Sequence, residues 1–401
     1  MNRHIFLFNP ENDMALASGQ LAYTPTPAAQ QLRRDLQMLP AWFCVPDAEI
    51  LTKNPEADSL WLAQMRKDWG ICASTIDQNH LFSAQATFHT WGWSLSTRQQ
   101  FISRGVLPQF LPSDDTIATL RALSGRQTTV LIHKQLTEHL HEQLCQPPQV
   151  LTSRDEVSEF MKSNPKCFLK APWSSSGRGI LSPRSEADTA FALQMMDGYL
   201  RTQGAVMGEV AFDKVLDFAM EFHCADGKAQ FVGYSVFFNN AHRSYDHGLV
   251  AHNETLLSII LHHAPALEPT IHNVRQSLES VLTALVAPHY DGPLGIDMML
   301  FRNADGSIGV NPCVEMNLRC TMGMVACHLA QRLLPPGAVA RFSVQYHKGQ
   351  NDVPALIAQQ CSQSPIVTDS QGKLISGILP LTPIYPDTQY TATLQPISEP
   401  Q

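Results

Sequence analysis

The sequence predicts a mixed α/β and α+β protein: an N-terminal α/β domain on a mostly parallel sheet, followed by a strand-rich region of antiparallel sheets. Three observations carry this. Short apolar runs alternate with helical patterns over the first ~115 residues. Beyond position 205, strand patterns dominate. The hairpin turn signal Asn303-Ala304-Asp305-Gly306 separates two of those strands.

Taken in order, residues 4–8 and 41–45 read as buried strands bounded by turn residues. Between them Thr26-Pro27 opens a helical pattern through Ala29, Leu32, Leu36 and Leu39, with proline at a favoured first-turn position. Residues 56–69 form a second helical pattern and 71–76 a further strand. In open α/β sheets, ligands sit beyond the carboxyl ends of strands. The loop Asn9–Asp13 has that location, and in the plain reading Glu11 and Asp13 cap or turn it.

From 116 to 200 the pattern is mostly helical. Ser153-Arg154-Asp155-Glu156 is a capping box, and residues 185–199 return to a helix. Strands are expected at 205–210, 215–223, 229–238, 293–301 and 307–318, with helices at 253–263 and 269–287. Beyond 350 the chain is rich in Gln, Pro, Ser and Thr, with strands near 373–379 and 389–394 before it frays. These shifts divide the chain into 1–115, 116–200, 201–345 and a tail, 346–401, of uncertain structure.

The 401 residues are 44% hydrophobic and 16% charged, with a formal net charge of −8. No stretch is dominated by Lys and Arg, which argues against a nucleic-acid partner. No apolar run approaches the roughly 18 residues of a membrane helix, and Ile5–Phe8 is too short for a signal-peptide core. A cytoplasmic protein without a membrane partner is expected. The nine cysteines are scattered without a C-x-x-C pair, as in a reduced compartment.

The chemistry concentrates in two places. In a strand, residues i, i+2 and i+4 share a face. Glu315, Asn317 and Arg319 therefore line up on one face while Met316 and Leu318 point to a core. Folding about a turn near Gly306 brings Asp297 opposite Glu315. Two carboxylates, an amide and a guanidinium make a site for a hard cation and a phosphate. The second place is Lys170, at a strand end before Ser174-Ser175-Ser176-Gly177-Arg178-Gly179. Glycines allow close backbone approach, successive N–H groups form an anion nest, and the lysine adds a point charge. No Gly-Lys-Ser/Thr follows, so this is not a P-loop. Upstream, Lys134, in Ile132-His133-Lys134-Gln135-Leu136, opens a helical stretch and adds a second lysine beside the loop; a plain surface lysine is the alternative. Downstream, Glu209 follows the apolar Ala205-Val206-Met207, and Asp217 comes eight residues later.

In this order the pieces resemble the ATP-grasp superfamily, in its carboxylate–amine/thiol ligase type, over roughly residues 1–345. The resemblance rests on the Lys170–Gly179 flap, the hinge near Glu209 and Asp297 with Glu315-Met316-Asn317-Leu318-Arg319. It implies a pre-ATP-grasp N-terminal domain and a two-subdomain ATP-grasp fold. It implies that Lys134 and Lys170 contact the α- and β-phosphates and that Ser174 to Gly179 fold over the β/γ-phosphates. Residues 206–209, Met207 and Glu209 among them, would line the adenine pocket, and Asp217 or Glu209 would accept the ribose hydroxyls. Asp297, Glu315 and Asn317 would hold Mg²⁺, with Mn²⁺ as an alternative. Oxygen-only ligands fit such hard cations. Arg319 and Arg243 would stabilise the transferred phosphoryl group. The implied activity is an ADP-forming ligase joining an unknown carboxylate to an amine or thiol, in a chain able to form a homodimer. The alternatives are an ATP-grasp kinase acting on a hydroxyl and a nucleotide-binding protein without turnover.

Overall fold

The computed structural model describes residues 3–82, 85–140, 144–173, 179–239, 245–349 and 352–398. The N-terminal region contains β1 (Arg3–Leu7), α1 (Asn12–Ser18), α2 (Pro27–Asp35), β2 (Ala48–Thr52), α3 (Pro55–Trp69), β3 (Ala73–Asp77), β4 (Ala86–Thr90) and α4 (Leu95–Ser103). Its strands form one sheet in the order β3-β2-β1-β4, with every pairing parallel. The helix starts follow local chemistry. Thr26 accepts the Ala29 N–H at 3.3 Å to cap α2, and Pro27 supplies a preset φ where no intrahelical N–H is needed.

The expected strand at 41–45 is not a strand. Leu39–Trp42 forms a 3-10 turn instead, and the strand is the later β2. Pro40 explains the difference: it has no N–H for a ladder and fixes φ at the turn's start. Trp42 is buried, with its indole Nε1 donating to the Leu381 carbonyl at 2.6 Å.

The middle of the chain holds α5 (Asp114–Leu123), α6 (Gln127–His139), β5 (Gln149–Leu151), α7 (Arg154–Ser163), β6 (Cys167–Lys170), β7 (Ile180–Leu181), α8 (Glu186–Gln203) and β8 (Val206–Val210). Ser153 caps α7 by accepting the Glu156 N–H, as the sequence predicts. The four strands form an antiparallel sheet, β5-β8-β6-β7.

Next come β9 (Asp213–Ala225), β10 (Lys228–Asn239), β11 (Tyr245–Val250), α9 (Asn253–His262), α10 (Glu268–Leu285), β12 (Gly292–Arg302), β13 (Ile308–Asn317), α11 (Met322–Leu333) and β14 (Val339–Tyr346). Gly306, at φ +86°, makes the turn between β12 and β13, a conformation that favours glycine. The last stretch adds α12 (Val353–Gln363), β15 (Val367–Thr368), β16 (Leu374–Ser376), β17 (Leu379–Pro380) and β18 (Tyr390–Ile397).

The tail does not fray before its end. β18 runs antiparallel to β14, completing an eight-stranded sheet in the order β13-β12-β9-β10-β11-β14-β18-β17. The Asp35 carboxylate accepts the Gln389 and Tyr390 N–H groups at 2.9 and 2.8 Å, tying the tail to α2.

The large sheet has an apolar face and a polar one. Phe218, Met220, Phe222, Ile296 and Leu300 pack on one side with Val274, Leu278 and Leu282 of α10. Burying each such large side chain contributes about 1.5–3 kcal/mol. A second core joins Trp42 and Ile50 to Val325 and Leu329 of α11 and to Leu381 and Leu394 of the tail.

Candidate active site

Strand register lays out the polar face. Asp297 on β12 pairs with Glu315 on β13 and, on its other side, with Ala219 on β9, which pairs with Ser235 on β10. Two residues along, Gly295 sits between Asn317 and Glu221. Two residues the other way, Met299 pairs with Asp217. These rows border a cleft of about 560 Å³. Its opposite wall is the small antiparallel sheet, which contributes Phe168, Lys170, Ile180, Glu209 and Val210.

Charges in the cleft are paired. Lys170 Nζ meets Glu209 Oε2 at 2.5 Å, Arg126 Nη2 meets Glu315 Oε1 at 2.8 Å, and Lys214 Nζ meets Asp217 Oδ2 at 2.6 Å. Arg319 Nε donates to both Asp13 oxygens, at 2.7 and 2.9 Å. Arg319 also donates from Nη1 to the Cys320 carbonyl and from Nη2 to Asn317 Oδ1, each at 3.0 Å. Burial works against the Arg319 charge, but Asp13, then Asp297 and Glu315, hold its guanidinium protonated above the usual range.

Asp297 and Glu221 are different. Burial, then the neighbouring charges of Glu315 and Glu221, push the Asp297 carboxyl up to about 8, while the Asn317 hydrogen bond at 3.1 Å opposes the rise. Burial likewise pushes Glu221 up to about 7, against hydrogen bonds from Thr321 and Ser235. Two facing carboxylates with a neighbouring amide are chemically suited to a hard divalent cation, whose charge would relieve their repulsion. Among the described residues no three His, Cys, Asp or Glu side chains converge as a closed metal cluster. An Asp–Glu–Asn set with open positions suits Mg²⁺, which keeps water and phosphate oxygens in its shell.

No family profile matches this chain, and no curated protein sequence does. Solved structures do match. One is the N5-carboxyaminoimidazole synthetase from Staphylococcus aureus complexed with ADP, at 10% identity, covering 100% of this chain and 95% of that one with a TM-score of 0.50. Another is the biotin carboxylase–β-γ-ATP complex from Campylobacter jejuni, at 11% identity, covering 99% and 88%, with a TM-score of 0.52. The chain has the ATP-grasp fold.

Within the ATP-grasp architecture, the expected residues separate into three groups. Lys170, Glu209, Asp217, Asp297, Glu315, Asn317 and Arg319 all line the one cleft. Ser174, Ser175, Ser176, Gly177, Arg178 and Arg243 lie outside the described residues; Gly179 is described, and its carbonyl accepts the Ala171 N–H at 2.9 Å. Lys134 and Met207 do not line the cleft. Met207 is fully buried opposite Lys170. Lys134 is exposed on α6, whose inward face carries Ile132, His133 and Leu136. The helix starts at Gln127 rather than at Lys134, so a different residue, Arg126, stands at its N-terminal end and reaches the cleft.

Among the charged cleft residues, Arg126, Lys214 and Glu221 are those that the sequence reading missed. None sits in a motif. Glu221 is one polar position in the alternating stretch Phe218–Phe222, and that alternation is the signal that points it to the polar face.

Proposed function

We propose that this protein is an ATP- and Mg²⁺-dependent ligase that activates a carboxylate as an acyl phosphate for attack by an amine or thiol. The observation that carries the reading is the facing pair Asp297 and Glu315, with Asn317 beside it, lining one cleft with Lys170 and Arg126. The fold relatives in complex with ADP and with a β-γ-ATP support a nucleotide in such a cleft.

The adenine ring would lie between Phe168, Ile180, Val210 and Phe212, which supply the apolar wall. Asp217 fits the ribose hydroxyls better than Glu209, because Glu209 holds the buried Lys170, whereas the Lys214 paired with Asp217 is half-exposed. Lys170 and Arg126 would neutralise phosphate oxygens. When bound by Asp297, Glu315 and Asn317, Mg²⁺ (or Mn²⁺) would supply charge neutralisation at the phosphates. The substrate carboxylate oxygen attacks the γ-phosphorus as the bond to ADP breaks. The nucleophile then attacks the acyl carbon, the carbon–oxygen bond to phosphate breaks, and its proton leaves with phosphate or water. The rate enhancement comes from positioning and charge, not from a protein nucleophile.

The test is release of ADP and phosphate from Mg·ATP across panels of amino acids, small acids, amines and thiols. Coupled release of both products with a new amide or thioester supports the ligase. ADP release with a stable phosphoester and no free phosphate would identify a kinase. Nucleotide binding without turnover in any panel would identify a sensor.

A further inference from the structure

Glu221 is a cleft-lining acid without a matching cation. Among the described residues, the four basic side chains lining the cleft, Arg126, Lys170, Lys214 and Arg319, each face an acid other than Glu221. Two carboxylates are left over, Asp297 and Glu221. Asp297 belongs to the cation pair with Glu315. Glu221 sits one strand away and two residues along, roughly 8 Å off by strand spacing.

The groups around Glu221 set its chemistry. Ser235 donates its hydroxyl proton to Oε1 at 3.1 Å, and Thr321 donates its own to Oε2 at 2.7 Å. A hydroxyl has one proton, so both oxygens can offer only lone pairs to anything else. Thr321 uses one of these to cap α11 at the Met324 N–H. This corner of the cleft floor is therefore rich in acceptors. Two glycines make room for the carboxylate. A Cβ on Gly323 would come within 2.0 Å of Oε1, and one on Gly295 within 2.8 Å of Oε2. Neither glycine has positive φ, so space rather than backbone conformation calls for them.

We propose that Glu221, Ser235 and Thr321 form the docking site for the primary ammonium group of the acceptor substrate. This rests on the ligase reading and makes the nucleophile an amine rather than a thiol. The three ammonium N–H groups match the acceptors, whereas a thiolate would be repelled by the carboxylate. Before attack the nitrogen must lose one proton. An N–H bond breaks and an O–H bond forms on Glu221; the free lone pair attacks the acyl carbon, the carbon–oxygen bond to phosphate breaks, and the second N–H proton leaves with the phosphate.

The experiment uses the full chain saturated with Mg·ADP. Methylammonium chloride is titrated calorimetrically against tetramethylammonium chloride, which has no N–H, at equal ionic strength. The wild type is expected to bind methylammonium in clear preference. Glu221→Gln should weaken that binding about tenfold or more, the loss of a charged acceptor. It should leave Mg·ADP affinity within about twofold, since Glu221 is not among the proposed nucleotide contacts. The amide keeps the side-chain shape and removes a buried charge, and Glu221→Asp, with the charge retained, should give an intermediate loss. Equal methylammonium binding by wild type and Glu221→Gln, or none by the wild type with Mg·ADP bound, overturns the proposal. If Mg·ADP itself fails to bind the wild type, the nucleotide reading falls, and this proposal falls with it.

Discussion

Arg126 donates through Nη2 to Glu315 Oε1 at 2.8 Å and through Nη1 to the Ala171 carbonyl at 2.7 Å. One buried guanidinium thus links the start of α6, the residue after Lys170 and the acidic pair of the large sheet. Arg126→Ala should lower ATP turnover by on the order of 10²–10³-fold, the range for losing one preorganised charged donor. Lys134→Ala should leave turnover within about twofold, because Lys134 is exposed outside the cleft. Steady-state ADP release by the two variants checks this. Equal losses would restore the expectation that Lys134 contacts phosphate.

Asp297 makes a pH prediction. Its ordinary value is 3.8 and burial with Glu315 raises it to about 8. Below about pH 4 it is protonated whether the chain is folded or not. Between those values the folded chain keeps a proton that the unfolded chain has lost. Stability of the metal-free protein should therefore fall as pH rises towards about 8 and then level off. Asp297→Asn should flatten that slope, raise the melting temperature at pH 8 and abolish turnover. Mg²⁺ should stabilise the wild type at pH 8 and not the Asn variant. Melting curves from pH 5 to 9, with and without Mg²⁺, decide the matter.

Lys170 and Glu209 should behave as a coupled pair. Removing either leaves the other buried without its partner, which costs more than losing the pair. Lys170→Met and Glu209→Gln alone should each destabilise the fold by about 3 kcal/mol, and the double variant by less than their sum. Both variants carrying Lys170→Met should also lose Mg·ATP affinity. Denaturant unfolding with a nucleotide titration measures both, and additive stabilities would refute the coupling.

The tail should be indispensable to the fold. Ending the chain at residue 351 removes β18 from the edge of β14 and the Leu381 carbonyl that receives the Trp42 indole. The expected result is an aggregating or unfolded product, because it bares a strand edge and part of a core. Trp42→Phe, a milder test, should cost about 1 kcal/mol or more, from one lost hydrogen bond and some packing volume. Chemical denaturation gives that value directly.

Local rules carried much of the reading. Alternation along 293–301 and 307–318, with a turn at Gly306, was enough to place Asp297 opposite Glu315, and the structure pairs those two residues. Side-chain alternation is a property of any extended chain, so register follows once the turn is known. Caps such as Ser153 and Thr26 were equally legible, being contacts within one helical turn. The strand misplaced to 41–45 shows the limit: an apolar run fits a buried turn as well as a strand, and distant Leu381 accepts the indole hydrogen bond.

By itself, then, the amino-acid order determined β9, β10, β12 and β13, the turn at Gly306 and the polar groups that share a face of β12 and β13. Tertiary structure alone decided which basic residue faces Glu315, since Arg126 lies 189 positions away and carries no motif. It also decided that Glu221 lines the cleft while Lys134 does not, and that the tail completes the large sheet. The physical reason is range. Periodicity and capping act over a few residues, whereas burial and charge pairing depend on segments that meet only after the chain has folded.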